Sequence, residues 1–243
     1  MPVTINELIL VHEPGLGDHF ICNGLVNYIS SQVDRVLLPT YDITVHNNKA
    51  TVQSLYAHNP KVAIVPVPIF VHHWEPGLSW QDYFSSWNTP VLQIYKPQIS
   101  NPLWYSYFYT QVGMAWEDHK RLAYIPPPTQ RACELLEWAV TTHGRHYRVV
   151  HNNSTSGTFE FQQVGDTSLP TISVVPGLSD SLLDWQLVLA NAQEIHACLS
   201  SVFWLCTILD SLPTALFYHD SRPTQHPIFP QHFPAWQFVT GYF

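Results

Sequence analysis

The residues best suited to do chemistry sit in Glu13-Pro14-Gly15-Leu16-Gly17-Asp18-His19, directly after the apolar run Leu8-Ile9-Leu10-Val11. The order reads as a buried strand, a glycine turn and the start of a helix. In α/β proteins such a turn receives polar or anionic ligands, because its backbone N–H groups are unpaired and the helix start is positive. Asp18 occupies the expected N-cap of a helix over 18–31. Its carboxylate fits two roles, a cap for that helix or a base hanging over a cleft. The segment is neither a Walker A loop nor a complete GxGxxG.

A second segment, Glu194-Ile195-His196-Ala197-Cys198-Leu199-Ser200-Ser201-Val202-Phe203, repeats the logic. A strand ends at His196, and Ser200 or Ser201 is placed to cap the next helix. Their hydroxyls together with the first helical N–H groups form a seat for an anion. Val149-Val150-His151 and Leu216-Phe217-Tyr218-His219 are further apolar strands ending in histidine, the latter followed by Arg222. Asp18, His151, His196 and His219 all follow apolar strand runs, so all four are expected to point into one cleft at the strands' carboxyl ends.

The elements that must position these groups alternate. Strands are expected over 8–11, 35–38, 61–67 and 91–95, with helices over 18–31, 48–57, 102–114 and 130–142. The stretch 68–90 reads as a long loop. A second run follows, with strands over 147–151, 158–161, 171–175, 194–198 and 214–218 and helices over 182–191 and 200–212. Such alternation implies parallel sheets covered on both faces. The expected fold is α/β, a compact pair of Rossmann-like domains facing across a cleft. The boundaries are 1–142, 143–222 and a tail, 223–243, rich in proline and aromatics that packs back as irregular structure.

Composition excludes several classes. The chain of 243 residues has 10 Lys plus Arg and a net charge of −8, with no basic run, which argues against nucleic acid or an anionic membrane as partner. No signal-peptide pattern and no apolar stretch of spanning length is seen. Cys22, Cys133, Cys198 and Cys206 form no CxxC pair and read as reduced thiols of a cytoplasmic protein. The histidines show no HExxH or Cys/His ligand spacing, so no metal is expected, and GxSxG is absent. Trp74, Trp80 and Trp87 are placed either to flank a sugar ring or, with more weight, to pack the loop.

Taken together, these pieces resemble the GT-B-type glycosyltransferases, in particular small bacterial and viral ones of the heptosyltransferase and fucosyltransferase groups. The likeness rests on Gly15-Leu16-Gly17-Asp18-His19, on His151, and on Glu194-Ile195-His196 followed by Ser200, Ser201 and Phe203. The stretch Phe108 to Arg121, with Gly113, is similar to the helix that ends the first domain there. The resemblance implies an acceptor-binding first domain and a second domain that binds a nucleotide-sugar donor. It implies a hexosyl- or deoxyhexosyltransferase, inverting, that needs neither cofactor nor metal and serves polysaccharide synthesis. The acceptor would be a glycan or glycolipid. Asp18 would be the acceptor base, with Gly15, Gly17 and His19 in the acceptor-side loop. His151, Glu194, His196 and His219 would lie on the donor side, Ser200 and Ser201 at the diphosphate, and Arg222 as a further diphosphate contact.

Two departures stand out. Leu199 replaces an aspartate often found before the serine pair, and Asn152-Asn153-Ser154 replace an acidic residue and an arginine after the strand-end histidine. They keep open a non-catalytic nucleotide- or glycan-binding module of the same fold. Another sugar-nucleotide enzyme, such as an epimerase, is also left open.

Overall fold

A computed structural model describes residues 6–13, 15–41, 48–67, 79–94, 103–154, 157–175, 177–221 and 227–240. The chain forms two compact units: Met1–Lys96 with Tyr105–Pro126, and Pro97–Trp104 with Pro127–Phe243. It is an α/β protein with two Rossmann-like parallel sheets.

In the first unit, β1 (Glu7–Val11) leads into α1 (Leu16–Ile21) and α2 (Asn23–Gln32), then β2 (Arg35–Tyr41), α3 (Asn48–Tyr56) and β3 (Val62–Val67). After α4 (Trp80–Tyr83) and a 3-10 turn, Ser85–Trp87, comes β4 (Val91–Gln93). α5 (Tyr107–Thr110) and α6 (Asp118–Arg121) complete the unit. The strands are all parallel, in the order β3-β2-β1-β4. The chain therefore changes direction across the sheet between β1 and β4, and the glycine turn stands at the carboxyl end of that switch point.

One continuous helix was expected over 18–31; the structure breaks it at Cys22, whose φ of −88° and ψ of 4° leave the α region. Phe20, Ile21, Leu25, Val26 and Ile29 are buried on the side of the sheet that these two helices cover. Gly24 is required there by space: a Cβ would lie 2.8 Å from the His119 carbonyl oxygen and 3.1 Å from that of Asp118. The opposite face carries Ile9, Val11, Leu37 and Tyr41, packed with Trp80 and Phe84. Part of the expected loop 68–90 is thus helical: a Ser79–Asp82 capping box starts α4. The expected helix over 102–114 shrinks to α5.

In the second unit, α7 (Gln130–His143) precedes β5 (Arg148–His151), the short hairpin β6 (Asn153–Ser154) and β7 (Gly157–Thr158), and β8 (Thr171–Ser173). The 3-10 turn Leu182–Trp185, α8 (Gln186–Asn191), β9 (Glu194–Ala197), α9 (Ser201–Ile208), β10 (Ala215–His219), a 3-10 turn at Pro230–His232 and β11 (Trp236–Val239) follow. The order β11-β10-β9-β5-β8 is again all parallel, with the switch point between β5 and β9. Here the tail differs from expectation. It is not irregular throughout, since β11 pairs with β10 and closes the sheet. Trp236 packs against Phe203 and Phe238 against Tyr218, with ring centroids 5.0 and 4.9 Å apart. The two units part at Pro126–Pro127, whereas the boundary was expected near residue 143. α7 joins the second unit because Ala132, Leu135 and Ala139 are buried where it packs on α8 and on Leu182–Trp185. The Thr129 hydroxyl at its N-cap also donates to Asp184 Oδ1 at 2.6 Å. Among the described residues no helix is long and apolar enough to cross a membrane.

Candidate active site

Each unit places part of its candidate set at the carboxyl end of its own switch-point strand. In the first, Gly15 is the N-cap of α1 in extended conformation, and no side chain caps the helix. This corrects the expectation for Asp18, which lies one turn in, at the third helical position, and is half-buried. Its carboxylate folds back over the turn: Oδ2 stands 2.8 Å from where a Cβ on Gly15 would be. A side chain at position 15 would displace the Asp18 carboxylate from this place. Gly17 is half-buried in the same turn.

His19 does not face outward. It is fully buried, with Nε2 3.3 Å from the Thr40 hydroxyl at the end of β2 and its ring 4.6 Å, edge-on, from that of His12. Burial pushes the His12 imidazole down to about 4 and holds His19 well below the usual histidine range, the latter helped by His12. Both rings are therefore neutral near pH 7. Burial raises the Tyr41 hydroxyl, and the charges of Glu13 and Asp18 raise it further. Two carboxylates thus lie within electrostatic reach of a phenol where β1 and β2 end. Glu13 and Tyr41 were not singled out from sequence. The available signal was their position just past or at a strand end.

In the second unit, His151 at the end of β5 places Nδ1 2.9 Å from Ser200 Oγ. That hydroxyl also lies 3.1 Å from the Cys198 carbonyl. The carbonyl can only accept, so Ser200 donates to it and accepts from the His151 Nδ1–H. Ser200 occupies the N-cap of α9 but makes no side-chain cap bond, contrary to the expected cap. Ser201 is the first helical residue, and both serines are half-buried. The Asn152 amide donates to the Phe159 carbonyl at 2.9 Å, and Leu199, which precedes the serine pair, is buried.

Glu194, His196 and His219 form a separate assembly. His196 and His219 were expected to point into a cleft, yet they are only 3% and 0% exposed. Glu194 opens β9 at its amino end, and the period of two puts His196 on the same face. The Glu194 carboxylate accepts from His196 Nε2–H at 3.2 Å, so His196 Nδ1 must accept from His219 Nε2–H at 3.1 Å. The segment that follows the hairpin covers this face. Phe161 stacks on His219 with centroids 3.9 Å apart and rings 1° from parallel, and the Asp166 N–H donates to Glu194 Oε1 at 2.8 Å. Burial lowers both imidazoles, His219 to about 3 with help from His196, while Glu194 partly offsets the effect at His196. Arg222 lies outside the described residues.

The cover depends on Gly165. Its φ is +76°, and a Cβ would fall 2.5 Å from Glu194 Oε2 and 2.7 Å from Oε1. Gly165→Ala is expected to destabilise the fold by about 1–3 kcal/mol, from left-handed strain plus displacement of a buried carboxylate. A urea midpoint shows it directly. An unchanged midpoint would mean that the cover adds nothing to stability.

Among the described residues, no group of three or more His, Cys, Asp or Glu is placed to hold a metal ion. What the two strand ends offer is a half-buried carboxylate behind a glycine turn, and a histidine–serine pair at the start of an eight-residue helix.

Two Rossmann-like units of this kind define a fold with known relatives. The chain is similar to the crystal structure of a glycosyl transferase of family 9 from Veillonella parvula, with 9% sequence identity and a TM-score of 0.56. The match covers 100% of this chain and 90% of that one. At that identity the likeness is one of fold. No protein-family model matches the sequence, and no curated protein matches it.

Proposed function

We infer that the chain is a glycosyltransferase that moves a sugar from a nucleotide-diphosphate donor to a glycan or glycolipid acceptor. The observation that carries this reading is Asp18 at the switch point of the first sheet, in a chain whose fold is similar to a family 9 glycosyl transferase. In this reading the first unit presents the acceptor hydroxyl to Asp18. The carboxylate takes the proton as the acceptor oxygen bonds to the anomeric carbon from the face opposite the leaving group. The bond from that carbon to the donor's diphosphate oxygen breaks, and the sugar inverts. The departing diphosphate carries about two negative charges, which need preorganised donors. Those donors are the first N–H groups of α9, Ser201 and the His151–Ser200 pair, joined by Arg222. They require no metal. Glu194, His196 and His219, buried under Phe161 and Asp166, are given a structural role in this reading.

The engaged Asn152 and the buried Leu199 favour one alternative, a module of the same fold that binds the nucleotide without turnover. Thermal shift with UDP, GDP, ADP, CMP and dTDP, with and without magnesium, followed by a transfer assay with the matching sugar nucleotide, separates the two. A metal-independent shift for one nucleotide together with sugar transfer supports the enzyme. A shift with no turnover supports the module, and no shift removes the donor site.

Ser200→Ala is expected to weaken binding of the stabilising nucleotide about fivefold to tenfold, the loss of one hydrogen bond. The melting temperature of the unliganded protein should fall only modestly, because Ser200 does not cap α9 although it does link His151 to the Cys198 carbonyl. Titration calorimetry checks this. Unchanged affinity would remove Ser200 from the site.

A further inference from the structure

An open surface cavity lies at the amino end of the first sheet, away from Asp18. It has a volume of about 390 Å³ and opens beside the amino ends of β1 and β2, whose first residues, Glu7 and Arg35, line it. The rise of a strand, about 3.3 Å per residue, puts Glu7 roughly 13 Å from Val11, so this cavity is not where Asp18 acts. Leu37, Ala63 and Val65 give it an apolar floor. Trp87, 42% exposed, forms one wall, and its indole is fixed edge-on against buried Phe84 with centroids 5.1 Å apart. The indole therefore presents an exposed flat face while its edge is held against the core, a geometry suited to stacking on an apolar ring face.

The polar rim is equally organised. Arg35 Nη1 lies 3.1 Å from Glu7 Oε2, and both side chains keep contact with water. The Thr89 hydroxyl lies 3.2 Å from Glu7 Oε1 and 3.2 Å from the Trp87 carbonyl, which ties the rim to the platform. A planar carboxylate and a planar guanidinium each bind a pair of neighbouring hydroxyls, while the indole face takes the C–H face of a ring. Those are the two sides of a pyranose. The rim's charges cancel and the chain is acidic overall, which disfavours an anionic ligand such as a nucleotide or a uronic acid. The volume falls in the range of small-ligand sites.

We propose that this cavity is a carbohydrate-binding subsite, separate from the strand-end site, that takes an uncharged pyranose unit of a glycan chain. Trp87 is its stacking platform, and Arg35 and Glu7 are its hydroxyl readers. In the glycosyltransferase reading it anchors a long acceptor away from the reacting end. Binding itself does not require that reading.

The test is a ¹H–¹⁵N NMR titration of the full chain with maltotetraose, cellotetraose and chitotetraose, and with tetragalacturonate as the charged comparison. The Trp87 indole signal is assigned by its loss in Trp87→Phe. The expected result is a saturable millimolar shift of the Trp87 indole and Thr89 amide signals with at least one uncharged oligosaccharide. Trp87→Ala should abolish the Thr89 shift, and Arg35→Gln should weaken binding about fivefold. Asp18→Asn should leave binding unchanged, so a failure here is distinguishable from failure of the transferase reading. No saturable shift with any uncharged probe, tighter binding of tetragalacturonate, or unaltered affinity in Trp87→Ala would each overturn the proposal.

Discussion

Asp18→Asn is expected to reduce sugar transfer by about 10²–10⁴-fold while changing nucleotide affinity less than about twofold, the range lost when a positioned general base is removed. The asparagine has the shape of the aspartate and fits the same space beside Gly15, where Oδ2 lies 2.8 Å from the position of a Cβ. What it lacks is the ability to take a proton. The loss should therefore fall on kcat at saturating donor and acceptor, with little change in KM for either. The donor contacts, assigned to His151, Ser200 and Ser201, belong to the other unit and are untouched by the change. Initial rates at saturation and a nucleotide titration measure the two halves of the prediction. Near-normal turnover would show that Asp18 is not the base, and lost nucleotide binding would place it on the donor.

The second large effect is on stability as the solution is acidified. Four buried histidines, His12, His19, His196 and His219, hold their imidazoles below the usual value, chiefly because burial disfavours the charged ring. In the unfolded chain they titrate near 6.5. Between there and their folded values the unfolded state binds more protons, so stability falls as pH falls. The contribution is complete above about pH 7 and drains away toward about 4 for His12 and about 3 for His219. For His12 alone the full loss is on the order of 3 kcal/mol. Urea midpoints at pH 7.5, 6 and 5 should decline in that order. Asp82 and Asp166 are held below the usual carboxylate range by hydrogen bonds from Ser79 and Ser168, so they do not add to a decline between pH 7.5 and 5. His219→Gln keeps a donor for His196 without a titrating ring and should flatten the decline. A slope unaltered by His219→Gln and His12→Asn would assign the acid loss elsewhere.

Much of this arrangement was legible in the sequence. Leu8–Val11, Arg35–Leu38 and Lys61–Val67 are short apolar runs between turn residues, and they became adjacent parallel strands. Glu194 and His196 are two apart, which alone puts them on one face of a strand. The side on which that face is covered was not legible, because the cover is Phe161 and Asp166, far away in sequence. The break at Cys22 was hidden for a similar reason. Gly24 stands two residues on, but the reason for it is the backbone of His119, far away in sequence. In the tail, prolines masked the alternation of Trp236 and Phe238. Only the neighbouring edge of β10 makes that segment a strand. At Asp18 the residue type was informative and the helix register was not, since the N-cap fell three residues earlier, on Gly15.

The interleaving of the two units bears on how the chain is made. Trp104, only 3% exposed, belongs to the second unit and packs edge-on against Trp204 with centroids 5.8 Å apart, although both neighbouring stretches of chain belong to the first. During synthesis its indole is extruded about 100 residues before its partner, a delay of roughly 5–20 s at ordinary translation rates. The first unit can form in that interval, before the Trp204 ring that Trp104 packs against has been made. A chain cut between the two units would therefore part Trp104 from the Trp204 ring it packs against, so the two halves should be less stable apart than together.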